Sequence, residues 1–402
     1  MEGLSGIERD AVVRVGDAPM LAQTLAWSAV NSGTGNLSGL AAMAGLLADA
    51  FSALPGELSL VDPAPAERVQ ADGRVVPVEH GRHLLLRVRP DARVRMLFTG
   101  HMDTVYPADH PFQAVTKRDD GTVNGPGTAD MKGGLAVMLA ALGAVDASPL
   151  AARLGYDVLI NSDEETGSLS SAALIARAAR GKVAALTYEP ALADGTLAGA
   201  RGGTGNFSLV VEGRAAHAGR NPEDGRNAVV AASDLALRLA AAGSTGLSVN
   251  PARIDGGGPN NVVPDRAVLR VNFRPADADA IQRARAAIDQ AVAAVAREHD
   301  VRVNAHGVFN RPPKPVDRGA ERLFALVGEA GAALGLTIGR RATGGVCDGN
   351  NIAAAGVPVV DTMGVRGGAI HSSDEFMIAD SLAERAALSA VTVLRIAERG
   401  RL

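Results

Sequence analysis

The sequence predicts an α/β fold, a mostly parallel sheet flanked by helices and interrupted by a smaller ferredoxin-like α+β module. Three observations predict it. Short β-branched runs alternate with alanine-rich segments of helical spacing in the first half, the order becomes β-α-β-β-α-β after about residue 200, and the first rhythm returns from about residue 320.

Taken in order, "NLSGLAAMAGLLADAF" (36 to 51) repeats apolar residues at helical spacing and "RVRMLFT" (93 to 99) reads as a strand. "MKGGLAVMLAALGAV" (131 to 145) is a helix by the same test, "YDVLINS" (156 to 162) a strand, "SSAALIARAAR" (170 to 180) a helix and "KVAALTYE" (182 to 189) a strand. Such alternation argues for parallel strands covered by helices on both faces. The inserted module runs through "FSLVVEG" (207 to 213), a helix over 225 to 243, a strand pair in "LSVNPARID" and "AVLRVNF" (267 to 273), a long helix over 277 to 299 and a closing strand over 301 to 309. Gly-rich "GARGGTGN" and Pro-rich "RPPKP" bound it as hinges. The helix "AERLFALVGEAGAALG" and the strand "GVPVVDTM" (356 to 363) then resume the larger domain. The implied division is 1–202 and 314–402 for the larger domain and 203–313 for the module.

A chain of 402 residues suggests about two domains, and 47% hydrophobic with 21% charged residues describes a globular protein. The formal charge of −4 offers no basic surface, so nucleic acid is not an expected partner. The start "MEGLSGIERD" has no basic segment followed by an apolar one, and no apolar run is expected to approach the length of a membrane span. A cytoplasmic protein without a membrane partner is the expectation. Cys347 is the single cysteine, so any metal must be held by His, Asp and Glu.

Several strands end in such residues. "GHMD" (100 to 103) closes the first, "NGPGTADMKGG" (124 to 134) leads into a helix with Asp130 ahead of it, and "DEETGS" follows the strand over 156 to 162 with Glu164 and Glu165 adjacent. Glu189 ends the next in "YEP", and "GVRGGAIHSSDE" with His371 follows the last. In an open α/β sheet the ligand crevice lies beyond the carboxyl ends of the strands, which brings these segments to one edge. So many charges there call for a compensating cation. Imidazole and carboxylate without thiolate suit zinc, with cobalt or manganese as substitutes. Two His and three carboxylates suffice for two metals if one carboxylate bridges, and a two-metal site can activate a water. Asp103, two residues past His101, is placed to orient its imidazole. Of Glu164 and Glu165, one can bind metal while the other faces the substrate as general base.

The set "GHMDTVYP", "NGPGTADMKGG", "SDEETGS", "YEP", "EGRAAHAG" and "HSSDE" resembles the di-zinc metallopeptidases and deacylases related to aminoacylase, over nearly the whole chain. That family includes glutamate carboxypeptidases of the carboxypeptidase-G type, acetylornithine deacetylase and succinyl-diaminopimelate desuccinylase, and the wording is nearest to the first of these. The resemblance implies that Asp130 bridges two metals, with His101 and Glu189 completing one ion and Glu165 and His371 the other. It implies that Glu164 is the general base and that a cis peptide follows Asp130. It further implies that His217, in "EGRAAHAG", polarises the scissile carbonyl from a partner subunit, so that the module is a lid and dimerisation domain of a homodimer. Asn261 and Arg274 align with residues that hold the substrate's free carboxylate, a task suited to the bidentate fork of Arg. Gly364, Gly367 and Gly368 offer backbone that a ligand can approach closely.

The remaining histidines, His80, His83, His110, His299 and His306, read as solvated or structural, and Asp348 as a residue that shapes the site. "GTGN" lacks the spacing and final Lys of a phosphate-binding loop. The expected activity is zinc-dependent release of a C-terminal amino acid of glutamate type from N-acyl or peptidyl substrates. The alternative is a deacylase of the acetylornithine or succinyl-diaminopimelate type, which shares every catalytic residue.

Overall fold

Leu84, Leu86, Met96, Phe98, Val158 and Ile160 are buried on one side of a sheet, and Leu85, Leu97 and Leu159 are buried on the other. Adjacent residues therefore point to opposite faces that are both covered, which is why these strands read as continuous apolar runs. In the computed structural model, which describes residues 3–402, the strands that matter for the site begin with β1 (Glu57–Val61), β2 (Ala66–Val69), β3 (Val75–Val78) and β4 (His83–Val88). They continue with β5 (Val94–His101), β6 (Leu154–Asn161), β7 (Ala184–Thr187) and β8 (Leu197–Arg201). The inserted module contributes β9 (Thr204–Glu212), β10 (Leu247–Gly256), β11 (Arg266–Pro275) and β12 (Arg302–Arg311). After it come β13 (Arg340–Thr343), β14 (Val359–Val360), β15 (Arg366–Gly368) and β16 (Phe376–Ile378).

The main sheet has the order β1-β4-β6-β5-β7-β14, parallel from β6 to β14 and antiparallel across β1, β4 and β6. Helices α1 (Gly6–Gly16), α2 (Met20–Ser28), α3 (Leu37–Phe51), α4 (Gly133–Asp146), α8 (Arg318–Ala333) and α10 (Ser381–Arg399) contribute to the core on one face. Helices α5 (Ala172–Ala179) and α9 (Asp348–Ala354) cover the other. The segment Thr128–Asp146 is long and apolar enough to cross a bilayer by length and composition, contrary to the expectation that no run is. It is 89% buried inside the protein, where small Gly and Ala residues let it pack closely as the central core helix.

The strand expected over 356 to 363 shrinks to Val359 and Val360. Pro358 has no N–H to give a ladder, and the chain beyond β14 turns away to supply Asp361 and Thr362 to the interior. The short helix α9, rich in Asn and Gly, has no propensity signal and is held by its cap, where Asn350 Oδ1 accepts from Cys347 N at 3.2 Å.

The inserted module packs α6 (Ala228–Ala241) and α7 (Ala278–Glu298) on one face of an antiparallel sheet of order β10-β11-β9-β12, a ferredoxin-like arrangement with its own apolar core. Its other face meets the β2–β3 hairpin of the larger domain. Val69 packs on Val210 and Val268 there, and Arg266 Nη1 donates to Asp72 O at 3.1 Å. The two chain crossings into and out of the module run side by side, since Arg201 and Lys314 exchange backbone hydrogen bonds of 2.9 Å. Asn350 Nδ2 ties both, donating to Gly202 O at 2.9 Å and Pro312 O at 2.7 Å.

Candidate metal centre and active site

His101 is the last residue of β5, fixed by its register opposite Asn161 of β6. Its Nδ1 lies 3.0 Å from Asp103 O and 3.4 Å from Asp103 Oδ1, which turns Nε2 towards Asp130 Oδ1 at 3.1 Å and Glu189 Oε2 at 3.7 Å. The Asp103 carboxylate does more than orient that imidazole. It accepts from the backbone N–H groups of Glu164 (3.2 Å) and Glu165 (3.1 Å) and from the Thr34 hydroxyl (2.7 Å), so it also sets where the two glutamates stand.

Asp130 sits in the turn ahead of α4, and its peptide bond to Met131 is cis. The second carboxylate oxygen, Oδ2, lies 3.4 Å from His371 Nε2, and that nitrogen is 3.2 Å from Glu165 Oε2. Asp130 thus presents one oxygen to each imidazole, with Glu189 on the His101 side and Glu165 on the His371 side. Ligand atoms of His101, Asp130 and Glu165 lie within 4.8 Å of one another, as do those of His101, Glu164 and Glu189. The buried Glu189 Oε1 has no hydrogen-bond partner among the described residues.

The electrostatics fit divalent cations. Burial pushes Glu165 up to about 7, with the neighbouring Asp130 charge adding to it. Burial likewise raises Glu189 and, well above the usual carboxylate range, Glu164, although Arg311 opposes the latter shift. His371 is pushed up to about 10 by its hydrogen bonds to Asp130 and Glu165, and His101 is raised because its carboxylate neighbours outweigh its burial. A carboxylate-rich, water-poor pocket that draws protons onto its own groups is one where a divalent ion can replace them.

Residues 97–395 match Peptidase family M20/M25/M40. The chain belongs to this family. Carboxypeptidase G2 of a Pseudomonas species (strain RS-16) is 30% identical over 351 residues, covering 85% of this chain and 80% of that protein. A succinyl-diaminopimelate desuccinylase of Pseudoalteromonas translucida is 29% identical over 310 residues, covering 71% and 79%. Among solved structures, aminopeptidase PepT from Bacillus cereus superposes with a TM-score of 0.71 at 22% identity, covering 94% of this chain and 98% of that one. An M20 family metallo-carboxypeptidase from Sulfolobus solfataricus does so at 0.69 and 15%, with the same coverage. This M20 chain is therefore a hydrolase of a metallopeptidase family.

The M20 site opens into a cleft of about 410 Å³. Asp130, Glu164, Glu165, Glu189 and His371 line one end, and Arg274 reaches it from β11 of the lid. His217 and Asn261 do not. They are neighbours on an exposed loop edge of the lid, where His217 bridges to Val262 and Ala218 N donates to Asn261 O, and neither lines the cleft. Gly367 also departs from expectation. It is buried in β15, where a Cβ would stand 2.3 Å from Phe376 O and 3.0 Å from Ala129 Cβ, so the close approach it permits is to the protein's own chain.

Three features of the M20 site escaped the sequence reading. Arg311, at the end of β12, donates to Glu164 Oε1 at 2.7 Å and to Glu164 O at 2.8 Å. Glu375, the last residue of "HSSDE", is buried and accepts from Ala129 N (3.0 Å), Asp130 N (3.1 Å) and Tyr106 Oη (2.9 Å), which fixes the backbone carrying Asp130. Asp361 is buried between Arg201 Nε (2.7 Å) and Lys314 Nζ (3.1 Å). Arg311 and Lys314 lie in "RPPKP", which reads only as a hinge, so no local signal pointed to their buried partners. Asp348, by contrast, shapes the site as read, accepting from Asn161 Nδ2 at 2.7 Å and Ser168 Oγ at 2.5 Å.

Proposed function

We propose that this M20 chain hydrolyses an amide bond to release a C-terminal amino acid of glutamate type from N-acyl or peptidyl substrates, using two zinc ions held on either side of Asp130, with cobalt or manganese as possible substitutes. The observation that carries it is the division of ligands about Asp130: Oδ1 towards His101 and Oδ2 towards His371. Bound there, the ions would polarise the scissile carbonyl and lower the pKa of the attacking water.

Glu164 is the general base in this reading. Arg311 engages its Oε1, which leaves Oε2 to take a proton from the attacking water and return it to the leaving amine. Its backbone is held by Asp103, so the carboxylate has a fixed place at the cleft wall. Arg274 binds the free carboxylate of the substrate through a guanidinium anchored by one bond, Nε to Asn272 Oδ1 at 2.8 Å.

His217 and Asn261, exposed on the lid and away from this chain's own cleft, are assigned to the cleft of a partner copy in a homodimer. Two features support that assembly. Strand β10 is an unpaired edge of the lid sheet, and α6 beside it exposes Leu237 (72%) and Val230 (52%). The alternative is an N-acyl amino acid deacylase, favoured by the desuccinylase relative. A cytoplasmic location belongs to the same proposal.

The test is amino-acid release from a panel of N-acyl amino acids and dipeptides by zinc-reconstituted and by chelated enzyme. Metal-dependent release of glutamate from Glu-terminal members supports the reading. Cleavage confined to small N-acyl groups moves the enzyme to the deacylases, and an absence of metal-dependent release overturns both.

A further inference from the structure

The cleft is lined by four guanidinium groups, and they are not equivalent. Arg201 is engaged by Asp361 at 2.7 and 3.2 Å. Arg311 is engaged by Glu164 at 2.7 Å, with Asp348 at 3.6 Å. Arg274 and Arg341 form no ion pair among the described residues, and the Arg341 side chain makes no hydrogen bond there. The function proposed above uses one of these two free cations, Arg274, for the substrate's terminal carboxylate. Arg341 is left with no hydrogen-bond or ion-pair partner among the described residues.

Its orientation is set by the strand. β13 pairs in parallel with β8, with Ala198 opposite Arg341, and successive side chains of a strand face opposite ways. Arg340 therefore points away from the cleft, where its Nη2 meets Glu321 at 2.7 Å and its guanidinium lies 4.9 Å from the Phe324 ring centroid. Arg341 points into the cleft on the side of its partner Ala198, and both line it. Asp194, in the exposed turn before β8, is near enough to feel its charge, but that carboxylate already accepts from Thr196 N at 2.9 Å. One arginine of the pair is satisfied by the protein and its neighbour is held open to solvent at the cleft.

We propose that Arg341 is a specificity-determining residue that receives a second carboxylate of the substrate, so that the enzyme prefers dicarboxylates whose two anionic ends are held by Arg274 and Arg341. This rests on the reading of the cleft as an amide-hydrolase site. The two cations stand on different bodies, Arg274 on the lid and Arg341 on the larger domain. A dicarboxylate therefore bridges the hinge at Gly202 and Pro312, which a monocarboxylate cannot do.

The experiment compares wild-type holoenzyme with Arg341→Gln and, as a control, Arg340→Gln. One substrate pair shares an acyl group and differs in the leaving residue, glutamate against glutamine. A second shares the leaving residue and differs in the acyl group, N-succinyl against N-butyryl. The preference for the dicarboxylate member, as a ratio of kcat/KM, should fall by about tenfold or more in Arg341→Gln, the loss of one charge-assisted hydrogen bond. The monocarboxylate member should be unaffected, and Arg340→Gln should leave the ratio intact. Whichever pair responds locates the second carboxylate on the leaving residue or on the acyl group. Ratios unchanged in Arg341→Gln for both pairs overturn the proposal. Calorimetric binding of glutamate and glutamine, and of succinate and butyrate, to the same proteins reads the preference without turnover. A charge preference lost in Arg341→Gln alongside absent hydrolysis would retain this inference and sink the hydrolase reading instead.

Discussion

Arg311 leaves the lid at the end of β12 and donates to both Oε1 and the main-chain carbonyl of Glu164, at 2.7 and 2.8 Å. The residue assigned as general base is thus held by the strand that hinges the lid. Arg311→Met should leave a buried carboxylate unpaired and cost about 3–5 kcal/mol of stability. Pairing it with Glu164→Gln, which removes the charge, should recover part of that loss, with a coupling of about 1–3 kcal/mol in a denaturation double-mutant cycle. Strictly additive losses would show that the two side chains do not depend on each other.

The buried carboxylate of Asp361 gives a second expectation. Burial alone would raise its pKa, but Arg201 and Lys314 outweigh it and hold the group below its ordinary value. A depressed carboxyl adds stability above its unfolded pKa of about 4 and loses it as pH falls through the folded value. Urea unfolding should therefore show wild type losing stability in the acid range below about pH 4 along a slope that Asp361→Asn lacks. At neutral pH Asp361→Asn should be less stable by about 3–5 kcal/mol. Parallel pH profiles for the two proteins would contradict this.

The main sheet and the lid were legible because their strands and helices carry clear periods, and the metal-type residues stood out because they follow those strands directly. His101 after "RMLFTG" and Glu189 after "AALTY" are examples. What was not legible is tertiary. β1 and β4 went unread because "ELSLV" and "HLLLRV" flank a Pro- and Gly-rich stretch that suggests only loop. α1, α2 and α10 were likewise not singled out. Nothing local to Arg311 reveals a partner 147 residues away, and nothing in "HSSDE" tells that Glu375 reaches back to the amides of Ala129 and Asp130. Gly367 is the converse case: read as backbone a ligand can approach, it is a position where the missing Cβ makes room for Phe376 O.

Metal removal should make stability depend on pH with a definite sign. In the metal-free site Glu165 lies at about 7 and His371 at about 10, both above their ordinary values. A raised group contributes stability that is full below its unfolded pKa and is lost as pH rises through the folded one. Chelated protein should accordingly lose melting temperature between pH 5 and about 10, while zinc-loaded protein should not, so the gap between them widens with pH. A gap that is constant or narrows would contradict the assignment of these groups to the metals.

The proposed assignment of the exposed His217 to a partner copy's cleft predicts complementation between subunits. Protomers carrying Glu164→Gln and protomers carrying His217→Ala should each be nearly inactive alone. When they are mixed and allowed to exchange, each heterodimer would assemble one intact site, and activity should return to about a quarter of wild type at statistical mixing. No recovery, in dimers shown by sedimentation to have exchanged, would mean that His217 does not act across the interface.

In the proposed mechanism adjacent glutamates divide the labour, Glu165 holding metal and Glu164 moving the proton. Metal content and turnover are to be measured together on Glu164→Gln and Glu165→Gln. Glu164→Gln should keep the wild-type metal content and turn over about a thousandfold more slowly, whereas Glu165→Gln should lose metal. A Glu164→Gln enzyme that turns over normally, or that loses metal while Glu165→Gln retains it, would overturn this division of roles.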